Sequence, residues 1–594
     1  MAPNGGQSYR FGDFTLEASE HRLRRKGEEV PLRPKAFETL LYLVERHGHL
    51  VEKDELLERL WAETAVTEGV LTHCITEVRQ ALQDEAHNPR YLKTIPRVGY
   101  KFIGKVEKIA SAAQAPEPVK TGTHAIAVLP FVNLSAEPEN EYLCDGLAEE
   151  LINGLTKVRE LRVVAHSSSF SFKGQSVDAR EIGWKLNVGW VVEGSVRKVA
   201  SRVRISAQLI NAADGYHLWS EQYDRQMEDL FAIQDEISLA ILERLKVKLL
   251  GREKASLVKR YTEDLEAYHL YLKGRYFWHR RYEGFMQKAQ ESFQQAIERD
   301  PLYAPAYTGL ADTYNSLGVW GFMAPGDVFP RARAMAHKAL EIDDTLGEAH
   351  ASSAFVNLFY DWDWAAAERG FKRASELSPG YALSHLWYAH YLSLVGRFDE
   401  AIGEAKQAQF FDPLSPIINA NVGWTYYLIR EYGRAIEELR KTLHLDPHCG
   451  MAHLYMGYTY AQAGRYEEAI EALQRAIDTT ERMSWTAESL GYVYGLAGKR
   501  ERAEKILHES ETLSKERYVP SSALALIYLG LGEHDKVFEW LDRAYDERDA
   551  LLPWLSQMPE FDAVRSDPRF RDLLRRMWLA SSPHLFERPS KTSA

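Results

Sequence analysis

The stretch LTHCITEVRQALQDEAHNPRYLKTIPRVGYKFIG (Leu71–Gly104) decides the first fold in this chain. Its first half puts Leu71, Ile75, Val78 and Leu82 on one stripe at about 100° per residue, the period of an amphipathic helix seated on a core. The opposite face carries Gly69, His73, Thr76, Glu77 and Gln80, with Arg79 on the flank. Small hydrogen-bonding side chains of this kind can reach base edges in a major groove, and the plain alternative is a solvated surface helix. The second half alternates instead. RYLKTI and GYKFIG read as two short strands joined through PRVG, where Pro96 and Gly99 supply turn chemistry. Between Ala86 and Lys105 stand five basic residues, Arg90, Lys93, Arg97, Lys101 and Lys105, and no acidic one. Tyr100 and Phe102 mark the buried face and Arg97 lies near the tip. A basic hairpin beside a neutral helix suits contact with a phosphate backbone or a minor groove.

The residues upstream extend the pattern. PKAFETLLYLVERHG places Phe37, Leu40, Leu41 and Val44 on one helical face and ends in Gly48, and VEKDELLERLW follows as a second short helix. Before them, YRFGDFTLEASEHRLRRKGEEVPL alternates like a small antiparallel sheet with KGEE as a turn. Strands, three helices and a terminal hairpin over residues 8–105 resemble the OmpR/PhoB-type winged helix-turn-helix. The phrase NPRYLKTIPRVGYKF is similar to the ToxR/CadC-like branch. The resemblance implies that the third helix enters the major groove and the wing touches the adjacent minor groove. Carried over by position, Trp61 donates to a phosphate and Arg79 serves the backbone. His73, Thr76, Glu77 and Gln80 then belong to the base-facing helix, and Lys93, Thr94, Arg97 and Lys101 to the wing. One departure is plain: Gly69, Thr76 and Glu77 stand where the family often has arginine, so the helix lacks a bidentate guanine reader. Residues 1–105 hold 16 Lys+Arg against 16 Asp+Glu, a net charge of zero. Weak binding per monomer is therefore expected, offset by a homodimer or by tandem sites on double-stranded DNA.

The whole chain has 594 residues and a formal charge of −12, with 45% hydrophobic and 27% charged residues. That length exceeds one core, the composition is that of a soluble globular protein, and the charge excludes a chain-wide nucleic-acid coat. Cys74, Cys144 and Cys449 are too far apart for a thiolate zinc site or a disulfide framework, as suits a reducing compartment. The amino-terminal stretch lacks a basic-then-apolar leader, and no window reaches about 18 apolar residues, so a cytoplasmic protein without a membrane segment is expected.

Residues 106–124, including KIASAAQAPEPVKTGTH, read as a linker. Beyond it, AIAVLPF, NEYLCDGLAEELINGLTKV and LRVVAHSSSF form a βαβ pattern, followed by the helix DAREIGWKLN and the alternating strand Val203, Ile205, Ala207, Leu209. Residues 125–250 resemble the TolB-type amino-terminal α/β domain. AHSSSFSFKG is either a pocket lining at a strand end or a simple strand-to-helix loop. No phosphate-binding glycine pattern follows AIAVLPF, and nothing in the spacing of Asp145, Glu149 and His166 marks an acid–base pair. No catalytic residue, cofactor or metal is expected. An enzyme by analogy with cyclase fusions lacks a segment long enough for a cyclase core.

From about Leu265 the chain repeats. Ala401, Ala435, Ala469 and Ala503 are each 34 residues apart; Gly423, Gly457 and Gly491 keep the same step, as do Tyr426, Tyr460 and Tyr494, and Pro379, Pro413 and Pro447. Thirty-four is the tetratricopeptide period, and about eight repeats over residues 265–580 are expected to stack into a solenoid. Trp320, Trp362, Trp364, Trp387 and Trp424 either pack between helices or line a groove for a peptide or partner protein. The fold class is thus multidomain: an α+β winged helix, a small α/β domain and an all-α tetratricopeptide solenoid. The reading that follows is a DNA-binding transcriptional regulator whose later modules receive a signal or partner. The alternative is a non-catalytic interaction scaffold.

Overall fold

The computed structural model describes residues 7–578 apart from 18–21, 26–27, 31, 61–67, 86, 88, 97, 111–123, 248–258, 281–282 and 480–484. The chain forms two compact units, Met1–Lys120 and Thr121–Ala594.

In the first unit, strands β1 (Gln7–Phe11), β2 (Phe14–Glu17), β3 (Arg22–Arg25) and β4 (Glu28–Val30) form an antiparallel meander. A further strand, β8 (Glu107–Ala110), adds to the free edge of β1, giving the order β4-β3-β2-β1-β8. The segment read as a linker from residue 106 therefore opens with a sheet strand, because pairing with β1 satisfies its backbone. Alternation puts Tyr9, Phe11, Phe14, Leu16 and Leu23 on the buried face. Against them lie α1 (Pro34–Glu45), α2 (Lys53–Leu60) and α3 (Glu68–Leu82). Proline at the first turn of α1 costs no hydrogen bond. Leu43, rather than Leu41, completes its fully buried face with Phe37, Leu40 and Val44. Strands β5 (Leu50–Glu52), β6 (Leu92–Ile95) and β7 (Gly99–Phe102) form a second antiparallel sheet, ordered β5-β7-β6. Gly99 is required there, since a Cβ would sit 2.0 Å from the Val51 carbonyl oxygen.

The second unit begins with a mixed sheet. The parallel strands β9 (His124–Val128), β11 (Leu161–Val163) and β12 (Trp190–Val199) continue into the antiparallel β13 (Arg202–Asn211) and β14 (His217–Gln226). The short β10 (Val132–Asn133) runs parallel beside β12. Helices α4 (Glu141–Leu155), α5 (His166–Phe170), α6 (Ala179–Leu186) and α7 (Leu230–Arg244) complete this layer. Within AHSSSFSFKG the structure has helix α5 rather than a loop.

Helical pairs then follow from Leu265–Trp278 with Glu283–Arg299 to Ser521–Leu531 with His534–Asp546, eight among the described residues. The short helices Leu552–Leu555, Pro559–Ala563 and Pro568–Trp578 come last. These last elements turn back onto the repeats. Trp554 packs against Phe359, His390 and Trp424. Tyr427 donates its hydroxyl to Glu560 at 2.6 Å, Gln557 donates to the Leu394 carbonyl, and Arg430 forks onto Asp562. The inner surface, where the sequence places a peptide groove, is thus occupied in part by the chain's own C-terminal segment.

The α/β layer is fastened to the solenoid by buried polar contacts. Ser168 donates its N–H and hydroxyl to Asp412 at 2.8 and 2.5 Å and accepts from the Leu414 N–H. Arg162 lies over the Phe410 ring and donates to its carbonyl. Glu149 of α4 receives Arg275 and His279 from the first repeat. Among the described residues no helix is long and apolar enough to cross a membrane.

Candidate nucleic-acid interface

Helix α3 is oriented by its buried stripe. Leu71, Ile75, Val78 and Leu82 are all buried, joined by Cys74, whose thiol burial pushes to a higher pKa. That leaves Thr72, His73, Thr76 and Gln80 exposed, with Glu77 and Arg79 half-buried on the flanks. The Thr76 hydroxyl donates back to the Thr72 carbonyl, one turn earlier.

Two of the base-facing candidates are tied to a residue that sequence reasoning missed. Arg33, in the loop before α1, is 71% exposed, and its Nε lies 3.0 Å from Glu77 Oε2. Its backbone N–H donates to Glu77 Oε1 at 2.9 Å, and its Nη2 is 3.2 Å from His73 Nε2. Arg33 therefore offsets the carboxylate that would otherwise repel phosphates. The run PLRPKAF, with two cations bracketing a helix start, was the available signal.

Arg79 reaches the wing. Its Nη2 donates to the Leu92 carbonyl at 3.0 Å and to Thr94 Oγ1 at 2.7 Å, so recognition helix and hairpin are linked by one guanidinium. Asp84, also missed, fixes the junction between them. It is buried and accepts the backbone N–H groups of Arg90, Tyr91 and Leu92 at 2.6, 3.2 and 2.7 Å.

In the hairpin, Tyr100 and Phe102 face the core, and the strand register sets Lys93 directly opposite Lys101 on the other face. Neither lysine forms an ion pair with a described residue. Like charges directly opposed across a sheet are destabilising unless an anion lies between or beside them. Trp61 and Arg97 lie outside the described residues.

Elsewhere, Glu149, His166 and His279 bring their ligand-type atoms within 4.8 Å of one another. Burial pushes the Glu149 carboxyl up, but Arg275 and His279 outweigh it and hold it well below the usual carboxylate range. Since Arg275 approaches its Oε1 to 2.6 Å, a metal ion bound there would face a guanidinium. The cluster is an interdomain ion pair.

Residues 27–102 match the family described as "Transcriptional regulatory protein, C terminal". Residues 122–239 match "HilA/YgeH-like transcriptional regulator, second domain", and residues 423–484 match "Tetratricopeptide repeat". The transcriptional regulator HilA of Salmonella typhimurium is 24% identical over 72% of this chain and 74% of its own length. A putative adenylate cyclase 3 of Rhizobium meliloti is 37% identical over 41% of this chain and only 42% of the cyclase, so the chain spans less than half of that relative. The transcriptional activator CadC of Escherichia coli is 27% identical over 22% of this chain and 28% of the activator. The chain therefore carries an OmpR/PhoB-type winged-helix domain and tetratricopeptide repeats, and is a homologue of the HilA- and CadC-like transcriptional regulators.

Proposed function

We propose that this protein is a cytoplasmic transcriptional regulator whose first unit binds double-stranded DNA. Helix α3 presents His73, Thr76 and Gln80 to base edges, and Arg33 and Glu77 form the rim of that face. Lys93 and Lys101, with Arg97 and Trp61 carried over from the family pattern, hold the phosphate backbone. Arg79 acts between helix and wing rather than as a free backbone contact, because Thr94 and the Leu92 carbonyl already take its Nη2. The observation that carries the reading is the uncompensated Lys93–Lys101 pair on a hairpin keyed to an exposed polar helix. The second unit receives a signal or a partner protein, and the chain works on DNA as a homodimer or on tandem sites. The reading assigns no catalysis to the Glu149, His166 and His279 cluster, where Arg275 and His279 of the first repeat meet Glu149 of the α/β layer.

Fluorescence anisotropy of a labelled promoter library against salt tests this. DNA binding predicts log affinity falling with log salt by roughly 0.9 per phosphate contacted, and Lys93→Ala with Lys101→Ala should flatten that slope by up to about two contacts. The balanced charge of residues 1–105 favours one other reading, a protein-binding scaffold, which predicts no salt-dependent attraction to any duplex.

A further inference from the structure

The inner face of the solenoid holds a cavity of about 160 Å³. Its lining comes from the first helix, or the residue capping or following it, of the eight described pairs, from Phe359 in the turn Asn357–Asp361, and from the segment Leu551–Phe561. Of the tryptophans singled out by sequence, Trp320, Trp387 and Trp424 reach this lumen. Trp362 and Trp364 pack elsewhere, the first under Arg548 and the second donating to the Met577 carbonyl.

Three properties define what the lumen accepts. It is aromatic: Trp424 stacks on Tyr455 at 4.5 Å with Trp554 edge-on at 5.8 Å, and Phe355 packs on Trp387 at 4.9 Å. Among the described residues no Asp, Glu, Lys or Arg lines it. The imidazole of His390, which meets Asn421 Oδ1 at 3.0 Å, is driven by burial down to about 4 and is neutral at pH 7. One of its lining residues, Asn315, also has an unmet acceptor. Asn421 Nδ2 is used by the Ile417 carbonyl and Asn315 Nδ2 by the Ser352 carbonyl, whereas no described donor reaches Oδ1 of Asn315, a residue 1% exposed.

A buried acceptor without a donor is costly, and an ion brought into such surroundings is more so. A cavity of roughly 150 Å³ with apolar walls is large enough for one benzene-sized molecule.

We propose that the solenoid lumen is a binding site for an uncharged aromatic molecule of one or two fused rings that carries one hydrogen-bond donor, received by Asn315 Oδ1. The rings lie among Trp387, Trp424 and Tyr455. This site is independent of the DNA reading, and its test contains no DNA.

Isothermal titration calorimetry on the full chain uses indole, 1-methylindole and benzoate as probes. Indole should bind saturably at one site per chain, 1-methylindole at least threefold more weakly for want of the N–H, and benzoate not at all. Ala523→Phe, which fills the lumen, should weaken indole at least tenfold. If that variant does not fold, Asn315→Leu decides: it should abolish the preference for indole over 1-methylindole. Absence of saturable indole binding, benzoate binding as tightly as indole, or indole binding unchanged in a folded Ala523→Phe chain would each overturn the assignment. A preference for indole that survives Asn315→Leu would do so as well.

Discussion

Replacing Asp84 tests whether the recognition helix and the wing are held as one piece. Its carboxylate takes three backbone donors in the turn between α3 and β6. Hydrogen bonds to a charged group contribute about 1.5–3 kcal/mol each, and a buried donor left unmet costs about 1–3 kcal/mol. Arg90 is exposed, so its N–H turns to water; Leu92 is fully buried and cannot, and Tyr91 is intermediate. Asp84→Ala should therefore destabilise the first unit by about 3–5 kcal/mol, a large part of the roughly 5–10 kcal/mol a domain of this size commands. Asp84→Asn keeps the shape and one acceptor, and should cost about half as much. The assay is thermal unfolding of residues 1–120, a compact unit with its own core. At about 4–8 °C per kcal/mol, Asp84→Ala should lower the midpoint by at least ~10 °C. At a temperature where the variant is still folded, DNA affinity should fall while the salt slope stays constant, because no phosphate contact is removed. A loss below about 1 kcal/mol, or a flattened slope with stability intact, would show that Asp84 does not organise the junction.

The Arg33–Glu77 pair gives a prediction of opposite sign: Glu77→Gln releases Arg33, so promoter affinity should rise about two- to tenfold and the salt slope steepen by roughly one contact. Unchanged anisotropy curves would mean that Arg33 does not reach phosphate. Gly457 faces Leu473, whose Cγ would be 2.5 Å from an added Cβ, whereas Gly403 has nothing within 4 Å. Gly457→Val should destabilise the second unit by about 1–3 kcal/mol through overpacking, and Gly403→Ala should stabilise it by roughly 0.5–1 kcal/mol through helix propensity. Equal urea midpoints for the two would contradict the repeat packing. Burial pushes the carboxyls of Glu150, Glu488 and Glu560 up to about 7. The unfolded chain loses these protons near pH 4.5 while the folded one keeps them, so their contribution is complete below that pH and is lost as pH rises through about 7. His390, depressed to about 4, acts in the opposite sense below pH 6.5. Between pH 6.5 and 8 the midpoint of the second unit should therefore fall, and Glu560→Gln should flatten the fall; a rise over that window would reverse the sign argued here.

What the sequence disclosed was whatever repeats at short range. The burial of Leu71, Ile75, Val78 and Leu82 follows from a 3.6-residue period, and that of Tyr100 and Phe102 from a period of two. The 34-residue step of Gly423 and Gly457 is legible because each glycine faces the same kind of leucine, Leu439 and Leu473, in its own pair. What it concealed depends on chain crossings. Glu77 reads as a base-facing residue until Arg33, 44 positions earlier, arrives beside it. Asp84 sits in an undistinguished polar turn, and only the fold brings three N–H groups to it. Tryptophans 362, 387 and 424 look alike in sequence. Only the fold shows that Trp387 and Trp424, and not Trp362, line a cavity together with the C-terminal segment, which meets Tyr427 from 133 residues away.

The α/β layer and the repeats are separable as stretches of sequence but not as packed bodies. Glu149 is fully buried and its partners, Arg275 and His279, belong to the first repeat. Parting the layers would leave a carboxylate and a guanidinium uncompensated in a poorly solvated gap, at a cost of the order of 3–5 kcal/mol for the pair. The Ser168–Asp412 bonds tie α5 to the end of helix Phe398–Phe411, the second helix of the fourth pair. The first helix of that same pair, Ala382–Leu394, carries Trp387 and His390 into the lumen. The helix that lines the lumen and the α/β layer are thus joined through Phe398–Phe411 and the Asp412 carboxylate at its end.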